Sequence, residues 1–380
     1  MTDGGWASQS STSSAAWSRL ARFGPLNRLM REPGDAVRVV AFESLAPAAL
    51  FLPRRWALAL ADQIGQRMAQ SHHGEATARG FARTFALDEQ QAKRLAREWL
   101  TRPYRDYVFV KRIAAGREAV HRWPIEVRNE PAALKDPKQS VIIATGHFSR
   151  QAMASVYLPS AIPKPLAAIV APLDEHPLGP RALRIKLQFG EMMRAMRRLR
   201  AGKVQVMEVG KGRLLARIVQ YLRTPGNAAI ISPDVPWYRK SGMECPFAGY
   251  SSQHFALGAA RLARLSQTPI LTCVPYLEAD GRVVLEWHDP IPAPARKDAD
   301  ADARLTALIL RRLEKDIGRR PGQYVLSLGH GRKWDRVKQR WIGAGEALSA
   351  PSAANTNTAK AANANAPESS GAARKPDTPS

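Results

Sequence analysis

Residues 141–149 read Val-Ile-Ile-Ala-Thr-Gly-His-Phe-Ser, and this stretch decides how the rest of the chain is interpreted. Apolar, strand-forming residues run into a turn of small residues, and that turn presents His147. A histidine at the mouth of a buried strand is well placed to take a proton from an alcohol or an amine. Five positions further on, where a carboxylate would orient the ring, the chain has Ala152.

Runs of β-forming residues alternate with helical runs on both sides of this stretch. Strands are predicted at residues 125–127, 141–144, 166–170, 228–231, 270–276 and 283–287. Helices are predicted between them at residues 152–157, 180–189, 214–222, 255–266 and 303–316. Such alternation predicts an α/β fold over residues 123–345, with a largely parallel central sheet flanked by helices.

The sequence before the sheet predicts a helical N-terminal region over residues 17–122, and Pro103 is expected to end one of its helices. Residues 36–53 within it are apolar but interrupted by charges. They predict either a helix along a membrane surface or an ordinary buried helix, and not a membrane span. Residues 1–16 and 346–380 are small and polar, and they are predicted to be disordered.

The 380 residues carry a formal net charge of +24, which predicts an acidic partner such as nucleic acid, an anionic membrane surface or an acidic protein. Basic residues cluster in 181–223, where twelve lysines and arginines are opposed only by Glu191 and Glu208, and again in 311–340. No zinc-finger, RNP or helix-turn-helix pattern accompanies this charge, so nucleic acid is set aside as a partner.

Other residue types narrow the chemistry further. Cys245 and Cys273 lack metal-ligand spacing, and they predict core residues in a reducing compartment. His72 and His73 have no companion ligands and are expected in a solvated turn. The polar start of the chain predicts no secretory signal. No phosphate-binding loop, dinucleotide fingerprint or serine-hydrolase elbow is present, and neither a metal nor an organic cofactor is expected.

Four blocks lie near the ends of predicted strands, where open α/β folds place their sites. These blocks are residues 145–151, residues 180–190, residues 230–236, and the Pro-Phe-Ala-Gly-Tyr turn at 246–250 that precedes a helix of small residues.

The blocks, in this order, resemble the bacterial lipid A biosynthesis lauroyl/myristoyl acyltransferase family of the lysophospholipid acyltransferase superfamily. That family carries a histidine followed five positions later by Asp or Glu, then a helical arginine, an aspartate after an apolar strand and a Phe-x-Gly turn. The Arg-Pro-Gly-Gln-Tyr-Val-Leu stretch at 320–326 is similar to the family's closing Pro-x-Gln-Tyr segment. The resemblance covers roughly residues 20–342.

The resemblance implies roles for individual side chains. His147 is the general base, and Arg184 contacts a phosphate or the phosphopantetheine arm of the acyl donor, with Arg181 as the competing assignment. Asp234 positions Arg184 or the acceptor. Backbone donors near Gly146 are expected to stabilise the oxyanion. Substrate contacts are further expected from Ser149, Arg150 and Gln151, and structural roles from Phe247, Gly249 and Gly258.

Ala152 occupies the position of the family's carboxylate, and three explanations stay open. In the first, Asp234 is distant in sequence but lies near the His147 ring and orients it. In the second, Ser149 or Gln151 forms a weak hydrogen bond with the ring. In the third, the chain binds family ligands without turnover. Loss of such a carboxylate costs several orders of magnitude in rate in serine hydrolases, so the three explanations differ strongly in consequence.

The sequence and the resemblance together predict an acyltransferase. It moves a fatty acyl group from an acyl-carrier-protein or coenzyme A thioester to a hydroxyl or amine of a lipid or glycolipid acceptor. The enzyme is expected to lie at the cytoplasmic face of a bacterial inner membrane, where anionic lipid attracts its basic surface. The alternative is a relative that binds acyl donor or lipid without turnover.

Overall fold

The computed structural model of the chain describes residues 33–118, 125–148, 156–170, 180–199, 204–209, 213–234, 242–248, 250–278, 282–324, 333–335 and 340–342. Within these residues, the predicted architecture is confirmed: a mostly parallel sheet flanked by helices follows a helical N-terminal region. No helix among the described residues has both the length and the apolar character that crossing a membrane requires.

Four helices build the described part of the N-terminal region, residues 33–118, and two of them begin at side-chain caps. The Ser71 hydroxyl and the Asp88 carboxylate accept the hydrogen bonds of the Gly74 and Gln91 N–H groups. Such caps satisfy donors that the first turn of a helix leaves open. The four helices are α1 (Pro33–Phe51), α2 (Arg54–Ala69), α3 (His72–Phe85) and α4 (Glu89–Ala114).

Two expectations for this region are wrong. Pro103 lies inside α4 and does not end it. The helix continues because Tyr104, Tyr107 and Val108 bury their side chains against α1 and α2, which offsets the single hydrogen bond that proline removes. His72 does not lie in a turn, because α3 begins there directly after its Ser71 cap.

Seven strands form the central sheet in the order β1-β9-β8-β2-β5-β3-β4. The five strands from β8 to β4 are parallel to one another, whereas β8 and β9 are antiparallel. The strands are β1 (Ile125–Arg128), β2 (Val141–Thr145), β3 (Leu166–Val170), β4 (Val204–Glu208), β5 (Ala228–Ile231), β8 (Ile270–Leu277) and β9 (Val283–Trp287). All six predicted strands are therefore present, and β4 is an addition.

The remaining elements cover the sheet or form short hairpins. The helices are α5 (Ala132–Lys135), α6 (Leu158–Ala161), α7 (Pro180–Leu199), α8 (Leu214–Arg223), α9 (Gly258–Ser266) and α10 (Ala301–Arg319). The hairpins pair β6 (Gly242–Phe247) with β7 (Tyr250–Ala256), and β10 (Lys333–Asp335) with β11 (Arg340–Ile342). Residues 255–256 belong to β7, so the helix predicted from 255 begins later than expected. The helix predicted at 152–157 falls mainly outside the described residues.

Candidate active site

His147 and Asp234 follow two neighbouring parallel strands of the sheet, β2 and β5. Ala144 of β2 pairs in register with Ile231 of β5, and each of the two site residues lies three positions beyond its member of that pair. The carboxyl ends of both strands therefore deliver the two side chains to the same edge of the sheet. This is the edge at which open α/β folds place their sites.

Asp234 binds His147 through both carboxylate oxygens. The ring Nδ1 lies 2.8 Å from Oδ1, and the His147 peptide N–H donates to Oδ2 at 2.8 Å. The Tyr324 hydroxyl donates a third hydrogen bond, to Oδ2 at 2.9 Å. Asp234 is fully buried, so these donors replace the water that a carboxylate would otherwise hold.

The histidine ring is partly open to solvent, and its Nδ1 faces the carboxylate of Asp234. The exposed fraction of the His147 side chain is 18%, whereas that of Asp234 is 0%. Because a carboxylate that accepts from Nδ1 fixes the proton there, Nε2 is the nitrogen with a free lone pair. This is the tautomer that a general base needs.

Burial and charge act in opposite directions on the two groups. Burial by itself lowers the pKa of His147, but the charge of Asp234 and its hydrogen bond outweigh this effect and raise the pKa above the usual histidine value. Burial by itself raises the pKa of Asp234, whereas the interactions with His147 and Tyr324 lower it. Asp234 therefore stays ionised, and it stabilises the protonated ring.

The Gly146 turn leaves little space beside the carboxylate. A Cβ atom at Gly146 would lie 3.2 Å from Leu313 and 3.3 Å from Asp234 Oδ2. The Phe148 N–H donates to the Gly146 carbonyl at 2.8 Å, and the His147 N–H is bound to Asp234. Both of these backbone donors are used inside the protein. The expectation that backbone donors near Gly146 stabilise an oxyanion stays a prediction for the other N–H groups of this turn.

Tyr324 is held by several contacts that the sequence did not reveal. It follows a short 3₁₀ turn at Pro321–Gln323, and it forms an antiparallel bridge with Phe148. Its carbonyl accepts a hydrogen bond from the Trp99 indole of α4 at 3.2 Å. The Gln323 side chain binds both the N–H and the carbonyl of Leu277, at 2.8 and 2.7 Å. The Pro-x-Gln-Tyr pattern was the available signal, but it carried no assigned role.

Several other predicted site residues are only partly described. Arg184 and Arg181 lie in α7, and the roles predicted for their side chains stay predictions, since those side chains are outside the described residues. Ser149, Arg150, Gln151, Ala152 and Gly249 also lie outside the described residues.

The residues expected to be structural are placed in the core. The buried Phe247 ring packs edge-on against Phe255 with the ring centroids 5.1 Å apart, and a Cβ atom at Gly258 would lie 3.3 Å from Ile231. Burial raises the pKa of the Cys245 thiol to about 11, and burial also raises the pKa of the Cys273 thiol well above its usual value. Both thiols therefore stay protonated near neutral pH, which excludes a thiolate nucleophile at either position.

A second histidine–aspartate pair joins β9 to α10. His288 Nε2 lies 2.8 Å from Asp316 Oδ2, and the His288 N–H donates to the Thr272 carbonyl of β8. It follows a strand that runs opposite to β2, so it does not share the strand-end position of His147. Among the described residues, no group of histidine, cysteine and acidic side chains is arranged to hold a metal ion.

The comparison with protein families agrees with the resemblance seen in the sequence. Residues 44–329 match the family described as bacterial lipid A biosynthesis acyltransferase. Among solved structures, the chain is similar to the 1-acyl-sn-glycerophosphate (LPA) acyltransferase PlsC from Thermotoga maritima. The two are 12% identical with a TM-score of 0.32, and the similarity covers 70% of this chain and 99% of that one. No curated protein matches the chain.

Proposed function

The chain belongs to the bacterial lipid A biosynthesis acyltransferase family and is an acyltransferase that acts on lipid substrates, and we propose that His147 is the general base of its reaction. The donor is an acyl thioester of acyl carrier protein or coenzyme A. The acceptor is a hydroxyl or amine of a lipid or glycolipid. The observation that supports this assignment is the hydrogen-bonded pair of His147 and Asp234 at the carboxyl ends of β2 and β5.

The reaction follows from the free lone pair on Nε2. This nitrogen takes the proton of the acceptor hydroxyl or amine as its oxygen or nitrogen attacks the thioester carbonyl, so a C–O or C–N bond forms. The tetrahedral intermediate collapses, the C–S bond breaks, and the protonated ring returns its proton to the leaving thiolate. Asp234 supplies the charge that stabilises the imidazolium between these two proton transfers.

The proposed role of Asp234 replaces the carboxylate that Ala152 lacks. The ring needs an acceptor at Nδ1, and Asp234 lies there at hydrogen-bonding distance. A carboxylate five positions after the histidine is therefore unnecessary for orienting the ring. This supports turnover over the alternative in which the chain only binds acyl donor or lipid.

The basic surface supports the proposed partners and place. Acyl carrier proteins are acidic, and so is the cytoplasmic leaflet of a bacterial inner membrane. A chain with a net charge of +24 is attracted to both, by about 1 kcal/mol for each Lys or Arg close to the lipid surface. We therefore propose peripheral association with the cytoplasmic face of the inner membrane.

Two substitutions at His147 test the reaction. His147→Ala removes the base but also leaves the buried Asp234 with one donor fewer, whereas His147→Asn places an amide N–H near the former Nδ1 position. We expect both variants to transfer acyl groups from a labelled acyl thioester to lipid about 10²–10⁴-fold more slowly than the unaltered chain. Purified lysophospholipid and glycolipid acceptors are supplied in parallel.

His72→Ala is the matched control, because His72 is exposed on α3 and its loss leaves the pair intact. Thermal unfolding shows whether each variant is folded. Unchanged transfer by folded His147→Asn protein contradicts the assignment. If the unaltered chain binds the acyl thioester tightly but transfers no acyl group, the alternative of a relative without turnover is correct instead.

A further inference from the structure

Large apolar side chains are exposed where α1 meets α2. Among the described residues, six large hydrophobic side chains are exposed, and four of them lie between residues 40 and 56. Phe51 is 75% exposed and Trp56 is 58% exposed, with Leu52 between them in sequence. Monomeric proteins seldom leave adjacent aromatic and aliphatic groups in water unless a partner covers them.

Guanidinium groups surround these apolar side chains. Arg55 lies 5.8 Å from the centre of the Trp56 ring, and Arg117, after the end of α4, lies 5.7 Å from the centre of the Phe51 ring. The guanidinium of Arg198 on α7 packs against Gly116, next to Arg117. Arg55 and Arg117 thus bring positive charge from two separate parts of the chain to one apolar surface.

This surface is held in a fixed shape. Arg112 of α4 donates hydrogen bonds to the carbonyls of Ala49 and Leu52, at 3.0 and 3.1 Å. Glu118 pairs with Arg112 and with Arg54, so the nearest acidic side chain is already neutralised. The charge that remains at the surface is positive.

We propose that the α1–α2 tip, defined as Phe51, Leu52, Arg55, Trp56 and Arg117, docks on an anionic phospholipid bilayer. Aromatic rings enter the boundary between headgroups and acyl chains, and arginines bind the phosphates above it. An acidic protein would be attracted by the arginines, but it would leave the exposed Phe51 and Trp56 rings unexplained. This inference rests on the membrane association within the proposed function but not on the proposed reaction, because vesicle binding is measured without acyl transfer.

Vesicle sedimentation with the full chain tests the docking surface. Vesicles of phosphatidylcholine with phosphatidylglycerol are compared with vesicles of phosphatidylcholine alone. We expect binding to the anionic vesicles to fall on the order of tenfold for each aromatic residue lost in Phe51→Ser/Trp56→Ser. We expect vesicle binding to fall about fivefold for each arginine charge removed in Arg55→Glu/Arg117→Glu. It should fall further because each new glutamate adds a negative charge that the anionic lipid repels.

Matched controls use exposed residues elsewhere. Val127→Ser/Leu215→Ser removes two large hydrophobic side chains that are exposed elsewhere in the described structure. Arg213→Glu/Arg217→Glu reverses two exposed arginines near α8. Both controls should bind vesicles as the unaltered chain does. Equal binding by all four variants overturns the proposal.

Tryptophan quenching separates insertion from attraction by charge alone. Brominated phosphatidylcholine in the anionic vesicles should quench the emission of Trp56, and Trp56→Phe should bind well while losing this part of the quenching. If only the arginine variant loses binding and Trp56 is not quenched, the surface contacts an acidic partner without entering a bilayer, and the proposal is wrong.

A second inference concerns Tyr324 and rests on the proposed function. The structure assigns to Tyr324 the role of a positioning residue for Asp234, because its buried hydroxyl donates to Oδ2 at 2.9 Å. The backbone bridge to Phe148 and the Trp99 hydrogen bond fix where that hydroxyl lies. The Trp99 side chain of α4 is thereby connected to the catalytic pair through Tyr324.

Tyr324→Phe keeps the ring and removes only the donor. The carboxylate then has one donor fewer and attracts the protonated His147 ring more strongly, so the pKa of His147 should rise further above its usual value. The acid limb of the kcat/KM profile should move to higher pH, while the melting temperature changes little. Tyr276→Phe is the control, since it removes a hydroxyl bound to Arg128.

Titration of the His147 ring by NMR gives the same answer without catalysis, so failure of this inference is distinguishable from failure of the proposed reaction. An unchanged His147 titration in folded Tyr324→Phe protein contradicts the positioning role. A shifted titration in a chain that shows no acyl transfer contradicts the proposed function alone.

Discussion

Asp234 contacts His147 at two points, with one oxygen on the ring and the other on the peptide N–H of the same residue. The backbone contact fixes the start of the side chain, and the ring contact fixes its rotation. Together they hold the imidazole in one orientation before any substrate arrives, which reduces the entropy lost on reaching the transition state. Asp234 therefore both stabilises the charged His147 ring and fixes its orientation.

Asp234→Asn is expected to slow transfer and to change its pH dependence. The two causes that raise the pKa of His147 are removed, and burial, which lowers it, remains. Because the neutral ring is the base, the acid limb of the kcat/KM profile should move to lower pH. The maximal rate should fall by about 10²–10⁴-fold, since the amide neither fixes the tautomer nor stabilises the imidazolium. A profile that stays in place would contradict the charge interaction.

Ala152→Glu is expected to give no increase in rate. The new carboxylate would restore the family pattern, but Nδ1 is already occupied by Asp234 at 2.8 Å. A control in the Asp234→Asn background separates the two carboxylates. If Ala152→Glu raises the rate there and not in the unaltered chain, the two positions serve the same role. An increase in the unaltered chain would show that Asp234 supports the ring incompletely.

Glu314 is expected to make stability fall as pH rises. Burial raises the pKa of its carboxyl to about 7 from 4.5, although the Ala248 N–H, which donates to it at 2.6 Å, acts in the opposite direction. The folded state therefore binds more protons than the unfolded state between these two values. Ionising this group in the fold costs on the order of 3 kcal/mol, a penalty that develops from pH 4.5 and is complete above about pH 7.

Glu314→Gln keeps an acceptor for the Ala248 N–H and removes the titration. Urea unfolding should show the variant to be about 3 kcal/mol more stable than the unaltered chain at pH 8, with little difference at pH 4.5. Glu244→Gln, at an exposed position of β6, is the control and should show no such pH-dependent gain. A gain of equal size at both pH values would point to a cause other than ionisation.

The strands that carry the site were predictable because each is a short apolar run closed by turn residues. Val141–Thr145 and Ala228–Ile231 both have this form, and each is followed within three residues by a polar site residue, His147 or Asp234. Their adjacency was not predictable in the same way, since β3 and β4 lie between them in sequence and the order of strands is a tertiary property. The contact of Asp234 with the ring therefore stayed one of three alternatives until the fold was known.

The elements that sequence patterns missed have weak local signals. β6 reads Gly-Met-Glu-Cys-Pro-Phe, where the proline and the irregular polar residues disfavour a strand. Among the described strands it pairs with β7 alone. Tyr324 contributes through a hydroxyl that reaches a residue far away in sequence, and no periodicity predicts such a contact. Pro103 shows the reverse case, in which tertiary burial outweighs a strong local signal.

Gly65→Ala and Gly80→Ala should have opposite effects on stability. Both glycines lie inside helices, α2 and α3, where alanine gains up to about 1 kcal/mol in helix propensity. A Cβ atom at Gly65 would lie 2.4 Å from the Thr101 backbone of α4, so the two helices must separate, and we expect a loss of roughly 1–3 kcal/mol. A Cβ atom at Gly80 meets nothing within 4 Å, so this variant should gain stability. Urea unfolding of the two variants measures both effects, and a stabilised Gly65→Ala protein would contradict the close packing of α2 on α4.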